Sequence, residues 1–277
     1  MIRKSIVALL GLFMVAGTVS AQAPARLRWQ TGQVLVYKVE QSIAVTEIVG
    51  EKKVETTIKL NHTKRWQVLS VDAAGVATVQ HSLVALRQET VTADGKTLLF
   101  DSANPEKSTP ELQEAMSKFV GPPLAVLRVD VLGRVLEVKE SKFGPASRYE
   151  SELPFVGVLP VEPVKMGQTW ERSYNVTLDS LGAGAKYSAV QHYTCKSTTL
   201  ATVTVSVTTE LKTQPEAIAD RVPLLHMQPA GEIVYDIIAG RLQEATLKID
   251  KELKDYQGEG SSIRVTGTFV EVYIGDR

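Results

Sequence analysis

Few side chains in this sequence have the type and spacing to do chemistry. They are His62, His81, His192 and His226, the single cysteine Cys195, and two glutamates, Glu137 and Glu244. His62 and His81 fall on neighbouring predicted strands, where a hairpin could set them together as zinc ligands or an acid–base pair; no His-Glu-x-x-His or comparable ligand spacing accompanies them. His192 and Cys195 are three residues apart, so on a strand they point to opposite faces and cannot share a metal. Glu137 and Glu244 each follow a Gly-Arg pair at the same offset, and a pseudo-symmetric fold could bring them together as acid and base. Their plainer reading is ion pairing with Arg134, Arg241 or nearby lysines on solvated strands.

Other familiar arrangements are missing. No Gly-x-Ser-x-Gly elbow occurs, and "LGAGAKYS" at 181–188 lacks the spacing and following helix of a phosphate loop, so it reads as a hairpin. The sequences "DAAG" at 72–75, "DG" at 94–95, "DVLG" at 130–133 and "DIIAG" at 236–240 place Asp before Gly between apolar runs, which is turn chemistry and not a calcium loop. With one cysteine there is no intrachain disulfide and no cysteine-rich metal site; Cys195 reads as a half-buried strand thiol. No catalytic residue, metal or cofactor is assigned, and the chain is expected not to be an enzyme.

The elements that would position these residues are strands. From Val54 to Val68 the row Val54, Thr56, Ile58, Leu60, His62, Lys64, Trp66, Val68 alternates with wholly polar neighbours, the period-two signature of a half-buried strand. Val203, Val205, Val207 and Leu211 form a second such face, Leu35, Tyr37, Val39, Ile43 and Val45 a third, and Trp170, Tyr174, Val176 and Leu178 a fourth. One helix is expected in "STPELQEAMSKFVG", around residues 110–120: Thr109 caps, Pro110 takes the first position and Gly121 stops it. It would lie on a curved sheet or act as a lid. Shorter helical turns are expected near 147–152 and 216–221.

Composition and the first residues bound the setting. "MIRKSIVALLGLFMVAGTVSAQA" has a basic start, a short apolar run and small residues at Val19, Ala21 and Ala23: a secretory signal peptide over 1–21, with cleavage after Ala21 or Ala23. The run is shorter than a membrane span and no second one follows, so the mature chain is expected to lack a transmembrane segment; without a cysteine at the cleavage point it is expected not to be lipid-anchored. The protein would then be periplasmic or extracellular. With 31 basic and 31 acidic residues, nothing is organised to neutralise phosphates, and nucleic acid is not an expected partner.

The two halves share features in the same order. "GQVLVYKV" from Gly32 and "GQTWERSYNV" from Gly167 both open with Gly-Gln and carry a large apolar residue at the fourth position; "DVLGRVLEV" from Asp130 and "DIIAGRLQEA" from Asp236 both contain Gly-Arg-x-x-Glu after a turn. We read a first β repeat over 24–152 with an inserted helix and a second over 153–277. The apolar, proline-rich join "LPFVGVLPVEPV" is expected to pack the halves together and not to tether them loosely. The fold class expected is all-β with minor α content: duplicated antiparallel sheets in a curved half-barrel or sandwich-like scaffold.

The run Leu159-Pro160-x-x-Pro163-Val164-x-x-Gly167-x-x-Trp170 resembles a motif in a group of secreted bacterial proteins that carry a domain of unknown function. That resemblance implies an extracytoplasmic β-rich protein and supplies no catalytic residue. The function expected is an exported binding or envelope-associated protein that holds a hydrophobic ligand on a curved sheet, with Tyr37, Trp66, Trp170 and Tyr174 as ligand-contact candidates. The alternatives are an interaction module whose strand edges pair with an envelope protein, and a hydrolase of unrecognised type.

Overall fold

The structure is a computed structural model that describes residues 24–151, 157–178 and 184–276. The signal-peptide reading therefore lies outside the described residues. The described strands are β1 (Val34–Val49), β2 (Lys52–Val71), β3 (Ala77–Val91), β4 (Thr97–Asp101), β5 (Pro123–Val129), β6 (Val135–Ser141), β7 (Thr169–Leu178), β8 (Ala185–Thr198), β9 (Thr202–Leu211), β10 (Ala230–Asp236), β11 (Arg241–Lys254) and β12 (Ser262–Gly275). They form one antiparallel sheet in the order β6-β5-β3-β2-β1-β12-β11-β10-β9-β8-β7, with β4 hydrogen-bonded to β3 alongside the part that β5 leaves free. All-β architecture with minor helix is thus what the alternating rows produce.

The sheet curls so that its two wings share one core. Leu35, Trp66, Val79 and Leu127 from one wing pack in the same cluster as Tyr193, Val205, Ile233 and Leu242 from the other. The helix α2 (Arg148–Ser151) lies against both outer strands, β6 and β7. Of the join between the halves, residues 153–156 lie outside the described residues, and Val158, Leu159 and Val164 are buried in this core. At the end of the sheet carrying the 72–75, 130–133 and 236–240 turns, an N-terminal strap crosses from wing to wing. The Leu27 amide donates to the Val131 carbonyl (2.8 Å) and the Arg28 amide to the Gly240 carbonyl (2.8 Å).

The two Gly-Gln sequences make the same turn. Gly32 (φ +84°) donates to the Val68 carbonyl at 2.9 Å, and Gly167 (φ +79°) to that of Cys195 at 2.8 Å. The Gln33 side-chain oxygen accepts from the Gln30 amide (3.2 Å), and that of Gln168 from the Lys165 amide (2.9 Å). The Asp turns correspond as well: the Asp130 carboxylate accepts from the Leu132 and Arg134 amides, that of Asp236 from the Ile238 and Ala239 amides.

The helix differs from its expected extent. It runs as α1 (Pro110–Met116), followed by a 3-10 turn over Ser117–Phe119, and none of its residues is buried. Thr109 occupies the capping position, but its hydroxyl is spent on β4, donating to the Leu99 carbonyl (2.9 Å) and accepting from its amide (3.1 Å). Short helical structure occurs at the first of the other two places as α2, and only partly overlaps the second, as a 3-10 segment over Ala219–Met227 that starts and ends later than the expected 216–221.

Candidate functional site

The inner face of the sheet is the surface on which a ligand could rest. Its lower part, toward the strap, is filled. Tyr37 is 0% and Trp66 2% exposed; Tyr37 donates to the Leu242 carbonyl at 3.2 Å, and Trp66 stacks on His81 with centroids 4.2 Å apart. Across the cleft Trp170 stacks on Tyr193 at 5.5 Å and donates its ring N–H to the Val158 carbonyl at 2.8 Å, while Tyr174 lies under the Arg172 guanidinium at 4.3 Å. The fold thus places the four aromatic candidates on one face, with Tyr37 and Trp66 sealed as core and Trp170 and Tyr174 half-buried.

A polar layer crosses this core. Lys64 and Glu271 approach to 2.6 Å although the Glu271 side chain is 0% exposed. Burial pushes the Glu271 carboxyl upward, and the Lys64 ammonium opposes that shift. His62 and His81 share the inner face of this layer. Their placement corrects the idea of a facing pair: His62 sits opposite Leu86 and His81 opposite Trp66. Desolvation, with Lys64 as the nearby positive charge, lowers His62 to about 4 and His81 to about 3. Both rings are thus held neutral, and among the described residues no His, Cys, Asp or Glu trio is arranged for a metal.

Sequence reasoning had placed Lys64 in the apolar row of β2 without drawing a consequence. Glu271 carries the same signal, standing between Phe269 and Tyr273 on the inward row of β12. A charged residue within an otherwise apolar row of alternation marks an internal partner.

The remaining candidates are dispersed. His192 is half-buried on the outer face between Glu171 (2.8 Å) and Glu210 (3.4 Å), whereas Cys195 is buried in the core. Glu137 and Glu244 do occupy corresponding positions after their turns, but both are exposed and stand on different wings, Glu137 opposite Arg128 on β5 and Glu244 opposite Val234 on β10. No acid–base pair is formed from them.

The upper part of the inner face is different in character. Ile43 and Val45 on β1 continue through Ile58 and Leu60 on β2 to Leu98 on β4, all half-buried. The Ala219–Met227 segment packs Leu224 against Val176 and Leu178, and Leu225 against Ile263 and Val265, a cluster that Ile43 and Val45 join from β1. Next to Ile43, a small cavity of about 20 Å³ is lined by Gln41, Ile43, Pro229, Leu247, Ile249 and Phe269 among others.

The chain matches no family model and no curated protein. Among solved structures it is similar in fold to lipovitellin, in a structure concerned with lipid–protein interactions: TM-score 0.50 at 10% identity, covering 90% of this chain and 26% of that one. This chain therefore spans about a quarter of the lipovitellin chain's length. Alignment with DynF from the dynemicin biosynthesis pathway of Micromonospora chersina covers 96% and 93% of the two chains, but its TM-score of 0.24 at 10% identity carries no argument.

Proposed function

We propose that the protein is an exported, non-enzymatic carrier that holds a lipid or similarly apolar molecule on the upper inner face of its sheet. The observation behind this reading is the apolar row Ile43, Val45, Ile58, Leu60 and Leu98, which stays half-buried where the core rows below it are closed. Apolar side chains left this way on a curved face gain free energy by covering, about 25 cal/mol per Å² of surface removed from water. The likeness in fold to lipovitellin agrees with a lipid as the covering molecule. The site moves away from Tyr37 and Trp66, whose rings are spent on internal packing, and toward the hairpin end of the sheet.

Native mass spectrometry of protein purified from an exporting host, followed by organic extraction, tests the reading. A stoichiometric apolar molecule is expected, and I58D/L60D should lose it while keeping the near-UV circular dichroism of the parent. Bare protein from independent preparations, together with no uptake of a fluorescent fatty acid, would count against a carrier. The filled core around Trp66 favours a second reading, a scaffold whose outer strands β6 or β7 pair with an envelope protein; cross-linking confined to those edges would support it.

A further inference from the structure

The outer strands of the first wing leave a notch. β5 and β6 accompany only the lower part of β3, β4 only the upper part, and the chain leaving α1 passes between them. Two copies of Ser-Lys-Phe, residues 117–119 and 141–143, meet in this notch. The rings of Phe119 and Phe143 contact edge to face, with centroids 4.8 Å apart at 67°. The Lys118 ammonium stands 5.3 Å from the Phe119 ring and that of Lys142 5.5 Å from the Phe143 ring. Both lysines are exposed, both rings are half-buried, and neither ring belongs to any of the three core clusters.

The backbone around the pair is fixed. Gly121 donates to the Leu83 carbonyl of β3 (2.8 Å), Lys142 donates its amide to the Leu124 carbonyl (2.9 Å), and the Ser141 hydroxyl donates to the Gly144 carbonyl (2.9 Å). Beside the rings an open groove of about 500 Å³ is lined by Pro123, Leu124, Ala125, Glu140, Ser141 and Lys142. The two rings therefore stand as a preorganised aromatic pair, each with the exposed ammonium of the preceding lysine near its ring.

We propose that this notch docks the protein on an anionic lipid bilayer. Aromatic rings flanked by lysines suit the boundary of a bilayer, where rings enter the acyl region and ammonium groups reach back to phosphates. A pair of rings is far smaller than the roughly 800 Å² per partner that a stable protein interface buries, and flexible lysine stems fit a fluid surface better than a shaped pocket. Glu140 in the groove and the exposed Glu111 and Glu114 of α1 weaken attraction to a purely electrostatic partner, so the rings must contribute. This inference stands independently of any ligand on the inner face.

Co-sedimentation with vesicles of phosphatidylcholine alone and of phosphatidylcholine mixed with phosphatidylglycerol tests it. The protein is expected to pellet with the mixed vesicles, with affinity reduced roughly tenfold or more by K118E/K142E, since each lysine near an anionic surface contributes substantially to binding. F119S/F143S should lose binding and F119L/F143L should keep part of it, which separates loss of a wedge from loss of fold. Equal binding to both vesicle types, binding to neither, or unchanged binding by K118E/K142E would overturn the proposal. So would a change of oligomeric state on size exclusion in K118E/K142E, which would assign the notch to contact between copies. Apolar molecules extracted from K118E/K142E are expected to match those from the parent, so that failure here is distinguishable from failure of the carrier reading.

Discussion

His62 and His81 tie the stability of this protein to pH. Both are held neutral in the fold, near 4 and 3, against an ordinary value of 6.5 in the unfolded chain. A folded value below the unfolded one means that stability is complete above pH 6.5 and is lost as pH falls from there toward 4 and then 3. Each ring should contribute a slope of about 1.4 kcal/mol per pH unit in that window. Lys64 faces both rings, and Arg148 adds to the positive field at His81. Glu271, whose carboxyl is raised, runs in the opposite sense, stabilising at low pH and losing its contribution as pH rises. Urea midpoints measured from pH 7 to pH 4.5 should fall steeply for the parent and less steeply for H81Q. An identical slope in H81Q would mean that the His81 ring is not held neutral. The histidines were visible in the sequence as members of an alternating row, but the register that separates them, with a shift in the β2–β3 pairing between Thr63 and Lys64, is set by the partner strand and was not legible.

Among the elements, the paired Gly-Gln turns offer a matched comparison. Gly32 and Gly167 both adopt positive φ, and a methyl group at either would meet nothing within 4 Å. The cost of G32A and of G167A is therefore conformational alone, about 1–2 kcal/mol each, and should agree between the two within error. Gly240 also has positive φ, but a Cβ there would come within 2.8 Å of the Arg28 backbone nitrogen and closer still to its side chain. G240A should cost clearly more than either, because it must displace the strap. Urea denaturation of the three variants checks the order, and a G240A as mild as G32A would mean that the strap is loosely held. The turns and long strands could be read from Asp-Gly spacing and alternation. The use of the Thr109 hydroxyl could not, since it is drawn away from capping α1 to β4 by a contact ten residues away in sequence.

For the whole molecule, the sharing of one core by both wings matters more than the correspondence of the halves. Sequence alternation shows which face of each strand is apolar, but it is silent on which strands become neighbours, and it left a curved half-barrel and a sandwich-like scaffold both open. The single sheet has Leu35, Val79 and Leu127 in the same cluster as Val205, Ile233 and Leu242. Residues 24–152 and 153–277 made as separate chains should each lack a cooperative urea transition and near-UV circular dichroism, and should regain both when mixed. Independent cooperative folding of either half would show that the shared cluster is dispensable.

The pairing of β1 with β12 at the centre of the sheet sets an order of assembly. β1, β2 and β3 are joined by short turns and can zip together as soon as they leave the ribosome, whereas contacts across the centre, such as Tyr37 to Leu242, join residues 205 positions apart. Until the later strand arrives, one side of β1 is an unpaired edge, the kind of surface that recruits other chains. The outward row of β1 carries Lys38 and Glu40, paired at 2.6 Å and exposed in the finished sheet. Charges there contribute little to the completed fold. Charged side chains on an exposed edge disfavour pairing with other chains, and this pair stands on such an edge during the interval in which the last strand does not yet exist.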